Sequence, residues 1–408
     1  MKLINKILKK LFARLSSPLP PWEGLGVGLL LFFVGSASLL AQENPFPNVN
    51  FRCYQGSMTI TAQVVQNGQI VTDAIVAVYC GETIRGKKNV GSGTNPELAY
   101  LTVYGNNTIE QQQLYFKVYT SGIVFTYSPS TPIIFKNNSS IGTGAAPYII
   151  SLPVSLSDNA DNTGTLKTYK NTDCDVVLTG RTLYKDGAWN TLCLPFALSA
   201  GQIAAHTDFA DATLMELDVT GKNGFDPTDG TLYLTFKKAN AIAAGVPYIV
   251  KWTKADGYDE ASTETRDLKN PVFSGVTIDA TDATTVSDAD DKLQEVQMVG
   301  CYSPMPVTAD DKSILFLGNA NTLYYSTIDN DIRSFRAYFS VPYIKQNAGV
   351  KASAFHLDFG EEDPNLVPTL YRGETEGGAW YFLDGRKLNV KPTTSGVYVH
   401  EGRKVVIK

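Results

Sequence analysis

The chain has 408 residues, of which 43% are hydrophobic and 18% charged. That length and composition suit two globular domains, each with its own buried core. A net charge of −5 argues against nucleic acid as a partner, because such proteins carry a basic face. The 21 Tyr and 19 Phe against 5 Met favour pleated sheet, on which aromatic side chains pack well.

Lys2, Lys6, Lys9, Lys10 and Arg14 form a positive leader, residues 25–40 are apolar, and Ala41 precedes the polar Gln42-Glu43-Asn44. This is the order of a secretory signal, with cleavage expected after Ala41. The apolar run is shorter than the ~20 residues of a spanning helix. Residues 1–41 are therefore read as a signal peptide and the remainder as exported.

Residues 42–157 alternate with period two. Ile60, Ala62 and Val64 fall on one face of a strand, as a half-buried sheet requires. Asn67-Gly68 supplies a tight hairpin turn. Further strands are expected at residues 74–80, 101–103, 114–118, 123–127, 133–136 and 148–152. Short strands at this spacing, separated by Gly/Asn turns, predict a β-sandwich. The run SMTITAQVVQNGQIVTDAIVAVYCGETIRG, followed by AYLTVYGN and QLYFKVY, resembles the small immunoglobulin-like domains of exported bacterial surface proteins.

Residues 158–164, Asp-Asn-Ala-Asp-Asn-Thr-Gly, are polar and turn-rich and read as a solvated linker. Ala160 stands where a calcium loop needs a ligand, so no metal is expected. A second β-sandwich is predicted over residues 165–360. Trp189, Leu192, Leu194 and Phe196 are assigned to its core, with Pro195 at an edge or strand end. Ser199 and Gln202 have the spacing of a capping box for a short helical turn. Strands follow at residues 232–236, 245–252, 296–302, 313–317, 322–326, 335–341 and 354–359, and the acid-rich residues 279–291 read as a solvated loop. The blocks WNTLCLPF, AGVPYIVKW, VGCYSPMPVTADDKSILFLG, NTLYY and FRAYFSVP resemble a recurrent β domain of large exported proteins from oral and gut bacteria. That resemblance implies secretion or surface placement and no enzymatic activity.

Candidate chemistry is sparse. His206, His356 and His400 are isolated, and no HExxH, GxSxG or P-loop occurs. Neither a catalytic set nor a cofactor is expected. The five cysteines, Cys53, Cys80, Cys174, Cys193 and Cys301, cannot all pair within one chain. Cys53 with Cys80 is the pairing open to the first domain, and Cys193 reads as a buried thiol. For a saccharide ligand the aromatic candidates are Trp252, Tyr258, Tyr324 and Tyr325. Tyr324 and Tyr325 adjoin on one strand, so one of them points outward.

Residues 361–378 are polar and Gly-rich and read as a flexible linker. Residues 379–408 form a β-meander in which Asp384-Gly385-Arg386-Lys387-Leu388 recurs as Glu401-Gly402-Arg403-Lys404-Val405. This ending resembles the C-terminal sorting domain read by the type IX secretion system of Gram-negative bacteria. The matching residues are Asp384, Gly385, Arg386, Gly396, Tyr398, Gly402, Lys404 and the terminal Val405-Val406-Ile407-Lys408. The resemblance implies the secretion machinery as a partner of the tail. The whole chain reads as an all-β protein of two tandem sandwiches and a small tail, secreted or held on the outer surface of a Gram-negative cell. Its expected role is non-catalytic: adhesion or binding of an extracellular protein or glycan, or a structural part. The alternative is a carbohydrate-binding protein that assists polysaccharide use.

Overall fold

Alternation of apolar and polar residues sets the first sandwich. The strand Gly56–Gln66 buries Met58, Ile60, Ala62 and Val64 and turns the residues between them away from the core. In the computed structural model, which describes residues 44–106, 113–254, 267–290, 292–318 and 322–360 and four strands beyond residue 379, it is the centre of a five-stranded sheet. Ala99–Gly105 pairs with it antiparallel, while Tyr148–Ser151 and the short Ser140–Ile141 pair parallel. Asn67 and Gly68, with φ of 51° and 72°, turn the chain back onto Gln69–Ile70, the left-handed pair a two-residue hairpin demands. The opposing sheet runs Thr83–Asn89, Ile75–Cys80, Gln113–Thr120, Ile123–Tyr127. Phe116, Val76 and Val78 from it meet Ile60, Leu101 and Val103 from the first sheet in one core. At the open side Gly86 lies against Thr102, and a Cβ there would run into the Thr102 carbonyl, so the two sheets close together only on glycine.

The chain does not leave this sandwich through a solvated linker. Val154–Ser157 pairs parallel with Asp173–Thr179, which pairs antiparallel with Val272–Thr277. In the middle of this three-stranded sheet, Val176 and Leu178 face the second core while Val177 packs into the first. Residues buried on both faces explain the continuous apolar run Val176-Val177-Leu178.

Asp158, at the start of the expected linker, is wholly buried. Its amide donates to the Thr179 carbonyl, and its own carbonyl accepts from Ser334. Its carboxylate takes both guanidinium nitrogens of Arg336, with Arg333 3.6 Å away. Asn162 is buried as well. Its amide donates to the carbonyls of Ser157, Ala160 and Tyr302 and accepts from the Ser157 amide. Asp161 accepts from the Thr163 hydroxyl, the Thr163 amide and the Ser303 hydroxyl, and these bonds hold its carboxyl down at about 2. The polar residues that suggested a linker are instead the bonding partners of a junction.

Beyond the junction a six-stranded sheet holds Asn190–Cys193, Pro247–Lys251, Thr213–Leu217, Thr231–Lys238 and Gly224–Asp226 in that order, with Ala354–Asp358 parallel to Thr231–Lys238. One face, with Leu192, Leu214 and Val250, packs on the junction sheet through Phe273 and Leu178. The other face, with Phe225, Leu234, Phe236 and Ile249, packs on Val296, Met298, Leu315 and Phe339 of a second sheet. That second sheet runs Thr285–Asp288, Val296–Cys301, Arg336–Ser340, Ile314–Leu317, Leu323–Tyr324. Part of the acid-rich stretch is thus a strand: residues 285–288 pair with residues 296–299.

Asn190–Cys193 lies at the sheet edge and ends before Pro195. Ser199 caps the helix Ala200–Ala205 with Gln202 reaching back, a complete capping box. The five cysteines are free, so Cys53, which is exposed, and Cys80 are not joined. In the tail, the strands Lys387–Leu388, Trp380–Phe382, Gly396–His400 and Arg403–Ile407 form one antiparallel sheet, with Trp380 opposite His400 and Gly396 opposite Ile407. Among the described residues no helix is long and apolar enough to cross a membrane.

The Asp158 junction makes a measurable distinction between its two arginines. Arg336→Ala leaves a buried carboxylate without its bidentate partner and is expected to cost about 3–5 kcal/mol. Arg333→Ala removes only a 3.6 Å contact from a half-exposed guanidinium while Arg336 keeps the carboxylate paired, and is expected to cost less than about 1 kcal/mol. Urea denaturation of the two variants checks this, and equal midpoints for both would overturn the assignment.

Candidate functional site

A cleft of about 560 Å³ opens beside the junction, within the roughly 300–1,000 Å³ range of small-ligand sites. Its walls come from residues 181–191, from the strands Ile314–Leu317 and Leu323–Tyr324, and from residues 330–337. Each wall is held for a local reason.

On the first wall, Thr182–Leu183 pairs with Leu268–Lys269 and buries Leu183. The next residue, Tyr184, is 52% exposed at the cleft. Its backbone is pinned on both sides by the buried Asn190 side chain, which accepts from the Tyr184 amide and donates to the Tyr184 carbonyl, each at 2.8 Å. Asp186 accepts from the Ala188 amide at 2.9 Å, closing a turn through Gly187 at φ 89°. Trp189, behind the turn, stacks on Phe359 at 5.2 Å and belongs to the core.

In the strand Leu323–Tyr324, Leu323 is buried and Tyr324 lines the cleft, 50% exposed. The Tyr324 ring tilts against Phe316 at 5.6 Å between centroids. Gly318 donates its amide to the Thr322 carbonyl at 2.8 Å. A Cβ on Gly318 would collide with the Tyr324 ring, so the ring's position depends on that glycine.

The floor is cationic. Arg181 is buried, with its two terminal nitrogens donating to the carbonyls of Thr182 and Thr191 at 3.2 and 2.7 Å. Burial first, and then the nearby Arg336 guanidinium, push Arg181 down to about 9. Arg333 and Arg336 flank Phe335, whose φ of 59° is a costly conformation for a bulky residue. Phe335 is wholly buried and is held there by its amide donating to Cys301 and its carbonyl accepting from Cys193. The turn at this residue sets both arginines against Asp158. Arg333 stays 56% exposed, and its guanidinium is a planar fork of N–H donors.

The aromatic candidates read from sequence fare differently from one another. Tyr324 lines the cleft. Trp252 is 4% exposed, with its indole nitrogen donating to the Asp208 carbonyl at 2.8 Å and its ring edge-on to Phe209; it is a core residue, not an exposed platform. Tyr325 packs against the core between the two larger sheets, and its hydroxyl exchanges hydrogen bonds with the Ala352 backbone. Tyr258 lies outside the described residues. In the tail, Gly396, Tyr398 and Lys404 sit in paired strands, whereas Asp384, Gly385, Arg386, Gly402 and Lys408 lie outside the described residues.

Tyr184 and the three arginines were missed by sequence reasoning. The alternation Thr182-Leu183-Tyr184 was the available signal for Tyr184, while the arginines meet only through the fold. His206 bonds the Val272 carbonyl through Nε2 at 3.0 Å, and His356 lies beside Tyr233 at 5.7 Å. Among the described residues no group of three or more His, Cys, Asp or Glu is placed to hold a metal. The cleft therefore offers two aromatic faces, a cationic fork and the carboxylates of Asp186 and Asp331, a set suited to binding a polar ligand that also has an apolar face. No known protein family, curated protein or solved structure matches the chain.

Proposed function

We propose that this is an exported, non-catalytic β-sandwich protein that binds an extracellular ligand in the cleft between Tyr184 and Tyr324 and carries a sorting signal in its C-terminal tail. The observation that carries the binding role is the pair of half-exposed tyrosines lining one formed cleft, Tyr184 held by backbone bonds to Asn190 and Tyr324 by strand pairing and ring contact with Phe316. Single exposed aromatics are ordinary on a protein surface, as Phe51 and Tyr100 are here, so the weight lies on two of them lining one concave site. A tyrosine face matches the C–H face of a sugar ring, and the flanking Asp186, Asp331 and Arg333 match its hydroxyls. These features favour the carbohydrate-binding reading over adhesion to a flat protein surface, because the cleft is concave and small.

The sorting role rests on the leader of residues 1–41 and on the residues of the tail. The tail's strands pair with one another into a single sheet, which supports reading it as a folded signal. The secretion machinery is then the partner of the tail and a glycan the partner of the cleft.

The two halves of this reading separate experimentally. Deleting residues 396–408 in a bacterium with a type IX system is expected to trap the protein inside the cell envelope while leaving its glycan binding intact; normal release or surface display would overturn the sorting role. On a glycan array, Tyr324→Ala is expected to weaken binding about tenfold, near 1.4 kcal/mol, with unchanged circular dichroism. Full binding by that variant would remove the cleft as the site.

A further inference from the structure

We propose that the cleft recognises an acidic saccharide, a sugar whose ring stacks on Tyr324 and whose carboxylate is taken by the Arg333 fork. This rests on the carbohydrate-binding reading and specifies the ligand class.

The argument begins with the unequal sharing of Asp158. Arg336 engages both of its carboxylate oxygens, through Nη1 and Nη2. Arg333 approaches the same carboxylate only to 3.6 Å, by charge and without a hydrogen bond among the described residues. Its N–H donors are therefore available at the cleft, where it is the most exposed of the three guanidinium groups. Arg181 adds a third cation whose terminal nitrogens bond only backbone carbonyls, so it brings charge without a matching carboxylate. Three guanidinium groups around one buried acid make a positive pole in the cleft, with Asp186 and Asp331 as its separate negative groups. An Arg fork in that setting pairs best with a planar carboxylate, which accepts two parallel N–H bonds.

The other two acids of the cleft narrow the ligand further. Asp186 and Asp331 line it but make no ion pair with Arg333 or Arg336 among the described residues. They can accept from sugar hydroxyls, and they repel a ligand with charge on every side. A densely sulfated chain or a free phosphate cluster is disfavoured by them. A neutral sugar would leave the Arg333 fork to water. A uronic-acid residue, with one carboxylate among several hydroxyls, meets both poles and still presents a C–H face to the tyrosine.

The test is isothermal titration of the chain from Gln42 onward with oligogalacturonate and oligoglucuronate, the same oligomers after carboxyl reduction to neutral sugars, and a heparin oligosaccharide. Uronate binding is expected to fall about tenfold on carboxyl reduction and by a similar factor in Arg333→Ala. Arg333→Ala should not weaken the residual binding of the reduced oligomer further, and Tyr324→Ala should weaken both. Because Arg336 still pairs Asp158 in Arg333→Ala, that variant keeps its fold, as circular dichroism and urea midpoints will check. Reduced oligomers that bind as tightly as uronates, or an Arg333→Ala variant with full uronate affinity, would overturn the acidic specificity while the carbohydrate reading stands. Tighter binding of heparin than of uronates would overturn the carboxylate assignment. A folded chain that binds no saccharide at all on a broad array would overturn both.

Discussion

One buried carboxylate organises the centre of this protein. Asp158 has no access to solvent, so its charge must be balanced by protein, and Arg336 does this through two nitrogens. The two residues are 178 positions apart in the chain. Their pairing fixes where the chain leaves the first sandwich relative to the last large sheet of the second. The backbone of Asp158 is committed in both directions as well, to Thr179 and Ser334. A buried ion pair of this kind is weak evidence for net stability, since desolvation offsets much of the attraction. Its effect is on arrangement: any other junction geometry strands a charge in the interior.

The sheet next to this pair explains why the two sandwiches do not behave as beads on a string. Val177 enters one core and Val176 and Leu178 enter the other, from the same strand. Three apolar residues in a row cannot be satisfied by one half-buried face. Packing proceeds continuously from the first core, through the junction sheet, to the six-stranded sheet and the core beyond it. The segment that looked most like a boundary is where the two bodies share most.

The parts of this fold legible in the sequence are those governed by local rules. Alternation placed Ile60, Ala62 and Val64 inward, Asn67-Gly68 marked a hairpin, and Ser199 with Gln202 marked a capped helix, because each signal operates over a few residues. The illegible parts depend on distant partners. Asp158 and Asn162 carry the composition of a solvated turn, and nothing nearby in the chain reveals Arg336 or the Tyr302 carbonyl. Trp252 was a candidate ligand aromatic by its type alone, and Asp208 supplies an acceptor for its indole nitrogen that permits its burial. For Tyr324 the period-two rule was enough to show that one of two adjacent tyrosines must face outward. For Tyr184 the same rule applied across Thr182-Leu183-Tyr184, but the pinning by Asn190 belongs to a turn whose closure the sequence does not display.

The cleft draws on the junction without weakening it. The Phe335 conformation that brings both arginines to Asp158 is costly in isolation, and burial of its ring in the second core holds it in place. Of the two arginines so delivered, Arg336 completes the charge balance and Arg333 is in excess. A ligand carboxylate that engages Arg333 therefore leaves the structural pair untouched, and its binding adds stability to the folded state rather than competing with it. The same carboxylate at Arg336 would have to displace Asp158 and leave it buried and unpaired. On the proposed reading, the requirement that the interior charge stay balanced would direct an acidic ligand to Arg333 alone of the three guanidinium groups.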